Sequence, residues 1–117
     1  MENLDKDKIE QIIKLRNQAH SFYFEKSKVY RSFADLEQKT YQDGILAKKQ
    51  KELIAVGISI AINCESCMEW HIKQALDDGA KEEEILEALE VGIEMSGGLG
   101  TVSARFALNV LEYYRKD

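Results

Sequence analysis

No proline interrupts the 117 residues, and apolar side chains recur at helical spacing almost from end to end. Average usage would predict about six prolines in such a length. With only seven glycines as well, the chain has few of the residues that turns and hairpins require. Alanine, leucine, glutamate and lysine, all strong helix formers, supply 47 residues. A β-sandwich needs a turn signal roughly every ten residues, and these are missing. The expectation is one all-α domain over residues 1–117.

The periodicity predicts six helices, over about residues 7–24, 28–41, 47–62, 64–78, 82–96 and 101–114. The first turns Ile9, Ile12, Ile13, Leu15 and Ala19 toward the core. The second carries Val29, Phe33 and Leu36 on one side, and Gly44 separates it from the third, which repeats Leu53, Ile54, Gly57, Ile58 and Ala61 at threes and fours. Asn63 reads as a break or N-cap, and Gly79 as the residue that ends the fourth helix. The fifth places Ile85, Leu86, Leu89 and Ile93 inward and an acidic face outward. Gly97-Gly98-Leu99-Gly100 is the clearest loop. Apolar residues cover more than one stripe of several helices, so part of that surface is expected to be buried by another copy of the chain.

The net charge of −5 is uneven, with +2 over residues 1–63 and −7 over residues 64–117. An acidic chain without a basic stripe is a poor nucleic-acid binder, because phosphate neutralisation supplies most of that affinity. The one basic run, Lys48, Lys49 and Lys51, reads as the solvated first turn of a helix. The longest apolar stretch, Leu53 to Asn63, is far short of the ~20 residues that span a bilayer, so no membrane association is expected. The charged start, Met1-Glu2-Asn3-Leu4-Asp5-Lys6, lacks the apolar centre of a signal peptide. A reducing cytosol is the expected location, where a close cysteine pair means redox or metal chemistry before a structural disulfide.

That pair lies in Asn63-Cys64-Glu65-Ser66-Cys67-Met68-Glu69-Trp70-His71. At about 100° per residue, Cys64, Cys67 and His71 share an arc of about 60° on one helix face. A helix N-terminus favours thiolate over thiol, and an imidazole one turn on can take the proton that Cys67 gives up. The C-x-x-C spacing lets one thiol attack and the other resolve what forms, closing a disulfide across the first turn. A lone buried cysteine is usually a small hydrophobe, but two at this spacing with a histidine are poorly explained that way.

Zinc is the chemical rival, with Cys64, Cys67 and His71 as three ligands. Structural zinc sites draw ligands from two separated elements, however, and no second Cys/His pair exists in the sequence, so no metal is assigned. No G-x-G-x-x-G unit is present for a nicotinamide or flavin, and no cofactor is assigned. His20, lone on the first helix, reads as a surface or core histidine. Glu52 reads as a solvated helix glutamate unless the third helix folds back to bring it to His71.

Lys51-Glu52-Leu53-Ile54-Ala55-Val56-Gly57 followed by Asn63-Cys64-Glu65-Ser66-Cys67 and His71 resembles the carboxymuconolactone decarboxylase and alkylhydroperoxidase D-like superfamily. The resemblance rests on a glutamate, a twelve-residue step to C-x-x-C and a histidine four residues on, and it covers about residues 44–111. Gly79-Ala80 leading into Glu82-Glu83-Glu84-Ile85 is also similar, without the family's usual threonine-proline. The resemblance implies a helical fold assembled as a homotrimer or homohexamer and thiol-dependent reduction of a hydroperoxide. It implies Cys67 as the attacking thiolate, Cys64 as the resolving thiol, His71 as the proton acceptor and Glu52 as the group that orients His71. Electrons would come from a dithiol donor, a lipoyl group or a thioredoxin-like protein. Ser66 stands where the peroxidase branch has another histidine, and the chain has the length of one repeat, closer to the decarboxylase branch. Two other readings remain open: a lactone decarboxylase using His71 and Glu52, and a non-catalytic redox-sensing or metal-binding module.

Overall fold

The structure, a computed structural model, describes residues 1–116; Asp117, the last residue of the expected domain, lies outside the described residues. Among the described residues six helices form, α1 (Lys6–Lys26), α2 (Lys28–Thr40), α3 (Lys48–Ala61), α4 (Glu65–Asp77), α5 (Glu82–Ser96) and α6 (Gly98–Tyr114). The expected all-α architecture is present, with connections of only a few residues except between α2 and α3.

The core lies among α3, α4, α5 and α6, with α3 packed against the other three. Val56, Ile60, Met68, Ile72, Ile85 and Val110 are fully buried there. Each such side chain contributes about 1.5–3 kcal/mol relative to exposure. Ile9 is fully buried and anchors α1, with Ile12 and Ile13 packed partly against the same core. The remainder of α1 and all of α2 stand away from it, and no residue of α2 is buried.

Several expected core positions prove to be outside. The inner face of α3 is Glu52, Ala55, Val56, Ser59 and Ile60, whereas Ile54, Ile58 and Ala61 of the expected stripe are exposed. This helix is apolar on two faces, so spacing alone does not choose between them. The second face borders an apolar groove of about 520 Å³ shared with Val91 and Met95 of α5. Leu15 and Leu86 are also exposed, as are Val29, Phe33 and Leu36 on α2.

The close approach of α3 and α5 depends on glycine. A Cβ at Gly92 would lie 2.5 Å from the Gly57 carbonyl oxygen and 2.9 Å from Ile60 Cβ. Gly92→Ala should therefore destabilise the fold by about 1–3 kcal/mol through overpacking. Thermal unfolding measures this, and an unchanged Tm would contradict the packing described.

The expected four-residue glycine loop is a single hinge. Gly97 adopts φ 68°, and α6 begins at the next residue. Gly100 lies inside the helix, where a Cβ would approach Ile93 Cα to 2.9 Å. Gly97 thus supplies the positive φ of the turn, and Gly100 the close packing of α6 against α5. Gly79, by contrast, ends α4 as expected, with φ 91° just after the C-cap Asp78.

Candidate active site

The turn between α3 and α4 places the cysteines. Asn63 breaks the helix with φ 52°, and its side-chain oxygen accepts a 2.8 Å hydrogen bond from Ser103 Oγ of α6. The Cys64 N–H donates to the Ser59 carbonyl at 3.0 Å, which fixes the exit from α3. Cys64 is thus the N-cap of α4 in extended conformation, rather than the first residue of its helical turn as the spacing predicts. Its sulfur accepts the Cys67 N–H at 3.2 Å. The two cysteines form a disulfide with Cα atoms 5.2 Å apart.

Helix α3 does fold back against α4, and Glu52 meets His71. Glu52 Oε1 accepts from His71 Nδ1 at 2.7 Å, and the carboxylate is almost wholly buried. This bond puts the ring proton on Nδ1 and leaves Nε2 as a base. The second carboxylate oxygen accepts from Lys48 Nζ at 3.1 Å, and Lys48 also reaches Asp78 at 2.8 Å. Burial alone pulls the Lys48 ammonium toward neutrality, but its hydrogen bonds to Asp78 and Glu52 outweigh that, and the net direction is upward. Lys48 therefore stays charged and offsets the buried carboxylate. The Tyr41 ring lies 5.2 Å from the His71 ring, and burial next to Glu52 holds its hydroxyl protonated.

The lysine run is not a solvated turn. Three cations at a helix N-terminus oppose the dipole, and each is offset by a specific partner. Besides Lys48, Lys49 pairs with Glu84 of α5 at 3.0 Å, and Lys51 donates to the Thr40 and Gln42 carbonyls at 3.0 and 2.7 Å. Lys48→Met should leave Glu52 short of one partner and cost about 1–3 kcal/mol. Denaturant unfolding reads that loss, and full stability in the variant would show that Lys48 is a bystander.

A second buried carboxylate, Glu69, lies on the same helix as the cysteines. It accepts from Arg16 of α1 and from the Tyr114 hydroxyl of α6. Burial and the adjacent Glu69 push Tyr114 far up, so it remains a donor. The Arg16 guanidinium also lies 5.1 Å from the Trp70 ring centroid and 3.4 Å from the Ser66 carbonyl oxygen.

Arg16, Tyr41 and Lys48 of these groups line a cavity of about 680 Å³ between the α1–α2 arm and α3–α4. Glu52, Cys67 and His71 line one part of it, with Phe24, Phe33 and Trp70 among the apolar surfaces. Of the two cysteines, Cys67 is the one that lines it. His20 lines it too, exposed and hydrogen-bonded to the Tyr30 hydroxyl at 2.9 Å. The structure therefore brings together all four site residues read from the sequence: Glu52, Cys64, Cys67 and His71. It adds Tyr41, Arg16, Glu69 and Tyr114, to which the sequence assigns no role, and Lys48, expected only as part of a solvated turn.

The sequence model of the carboxymuconolactone decarboxylase family matches residues 27–112. The uncharacterized protein 4 in the cox locus of Paracoccus denitrificans is 40% identical over 81 residues, covering 69% of this chain and 73% of that protein. The crystal structure of an apo carboxymuconolactone decarboxylase family protein from Legionella pneumophila superposes with a TM-score of 0.81 at 31% identity, covering 93% of this chain and 99% of the other. A family protein from Thermotoga maritima, for which a role in antioxidative response has been suggested, gives a TM-score of 0.80 at 26% identity, with 87% of each chain covered. By sequence and by fold, the chain belongs to the carboxymuconolactone decarboxylase family.

Proposed function

We propose that the protein is a thiol-dependent peroxidase or disulfide oxidoreductase working through Cys64 and Cys67, with His71 and Glu52 as its proton relay. The observation that carries this reading is a cysteine pair at the N-terminus of α4 whose Cys67 lines one cavity with His71 and the buried Glu52 bonded to it. His71 Nε2 takes the Cys67 proton, and the N-terminus of α4 stabilises the thiolate. The thiolate attacks one oxygen of a hydroperoxide; an S–O bond forms, the O–O bond breaks, and the alkoxide leaves as an alcohol with the proton from His71. The Cys64 thiol then attacks the Cys67 sulfenic acid, releasing water and closing the disulfide. A dithiol donor, a lipoyl group or a thioredoxin-like protein, returns the pair to thiols and leaves as its own disulfide. The cytosol, where such donors are reduced, suits this cycle; no helix among the described residues is long and apolar enough to cross a membrane.

Assembly as a homotrimer or homohexamer belongs to the same proposal. Ile54, Ile58, Val91 and Met95 leave an apolar groove uncovered on each chain. Light scattering should give a multiple of 13.4 kDa, and a monomer would refute this part.

The activity is tested by following consumption of an organic hydroperoxide with dihydrolipoamide or reduced thioredoxin in excess. Many turnovers per chain are expected. Consumption that stops at one equivalent would indicate a sensor. Turnover of a γ-lactone acid by the doubly substituted Cys64→Ser, Cys67→Ser protein would instead favour proton chemistry by His71 and Glu52 alone.

A further inference from the structure

The Arg16–Glu69–Tyr114 cluster, built on the buried Glu69 carboxylate, has no part in the relay just described, yet it adjoins the redox turn. Arg16 Nη2 reaches both the Glu69 carboxylate and, at 3.4 Å, the carbonyl of Ser66, the residue next to Cys67. Its guanidinium rests over Trp70 and lines the same cavity as Cys67. Glu69, on the helix that carries both cysteines, has 1% of its side chain exposed and is held from the other side by Tyr114. Three helices, α1, α4 and α6, are thereby joined through one carboxylate beside the disulfide.

We propose that Arg16 is a positioning residue that sets the redox poise of the Cys64–Cys67 pair, and that Glu69, braced by Tyr114, tempers its charge. The proposal rests on the dithiol–disulfide cycle above. Reduction adds two electrons and two protons from a dithiol donor, and one thiol ionises. The disulfide carries no charge, whereas the reduced form carries a thiolate. A cation fixed beside the turn therefore favours the reduced form alone, and an anion paired to that cation weakens the effect.

Apart from Glu37 of α2, which lines the same cavity, the other charged groups about Cys67 are matched. Lys48 faces Glu52 and Asp78, His71 faces Glu52, and at the start of α4 Glu65 pairs with Lys8 at 2.6 Å. Tyr41 and Tyr114 are held protonated, and Glu37 of α2 lines the cavity wall. Arg16 is thus a cation next to the pair whose balance depends on a single carboxylate.

The test is equilibrium of the protein with glutathione redox buffers, together with titration of thiolate ultraviolet absorbance. Arg16→Met should shift the equilibrium toward disulfide about tenfold, which is about 30 mV for this two-electron couple. Glu69→Gln keeps an acceptor for Tyr114 while removing the anion, and should shift it the opposite way by a similar factor. Arg16→Lys should restore most of what Arg16→Met loses. A merely structural role would move Arg16→Met and Glu69→Gln in the same direction or not at all, and either result overturns the proposal. Should Arg16→Met fail to fold, the sign of the Glu69→Gln shift decides it. A wild-type pair that cannot be cycled between dithiol and disulfide overturns the peroxidase reading, and this inference with it; a normal wild-type couple with insensitive variants overturns only this inference.

Discussion

Replacing Cys67 by serine should abolish hydroperoxide turnover, by at least about a thousandfold, because a serine hydroxyl beside His71 stays protonated where the thiol ionises. The fold should survive, since the residue is only partly buried and its N–H still caps onto Cys64. Cys64→Ser should behave differently. Cys67 would still attack, but the sulfenic acid would have no partner across the turn. That variant should consume one equivalent and gain one oxygen in mass. Equal loss in both variants, with no oxygen adduct on either, would contradict the division of labour between the cysteines.

Glu52→Gln should lower turnover by about a hundredfold or more, within the range for loss of a positioned acid–base group. The amide fits the same space, but its NH2 group can turn toward His71 Nδ1 while its oxygen turns toward Lys48. The ring proton then moves to Nε2, and His71 presents a donor where the mechanism needs an acceptor. Stopped-flow oxidation of the reduced protein reads this step directly. A rate unchanged from wild type would remove Glu52 from the relay and leave its pair with Lys48 as a structural contact.

The parts of this site that were legible from sequence are those within one element or one short step. The C-x-x-C-x-x-x-His spacing fixes Cys64, Cys67 and His71 on one stretch, and α5 begins and ends where its periodicity and flanking residues place it. Glu52 was legible only as a conditional candidate, a solvated helix residue unless α3 folded back to His71, and its role came through the resemblance. Whether α3 folds back onto α4 depends on contacts of Val56, Ile60, Met68 and Ile72 that periodicity cannot order. The same limit hid the buried face of α3, where two apolar faces compete and spacing alone does not choose between them. It also hid Arg16 and Tyr114, which lie 53 and 45 residues from Glu69 in sequence. A lone arginine on an otherwise ordinary first helix and a tyrosine near the end of the chain carry no local signal of that meeting. Lys48 was misread for a related reason: a lysine run at a helix start looks solvated until its acidic partners arrive from other helices.

The most direct test of the central claim is intact mass of the fully reduced protein before and after one equivalent of an organic hydroperoxide, without added metal. Loss of two hydrogens within seconds, mapped by peptide analysis to a Cys64–Cys67 bridge, is the predicted result. An unchanged mass with both thiols free would contradict the redox account and return His71 and Glu52 to proton chemistry alone.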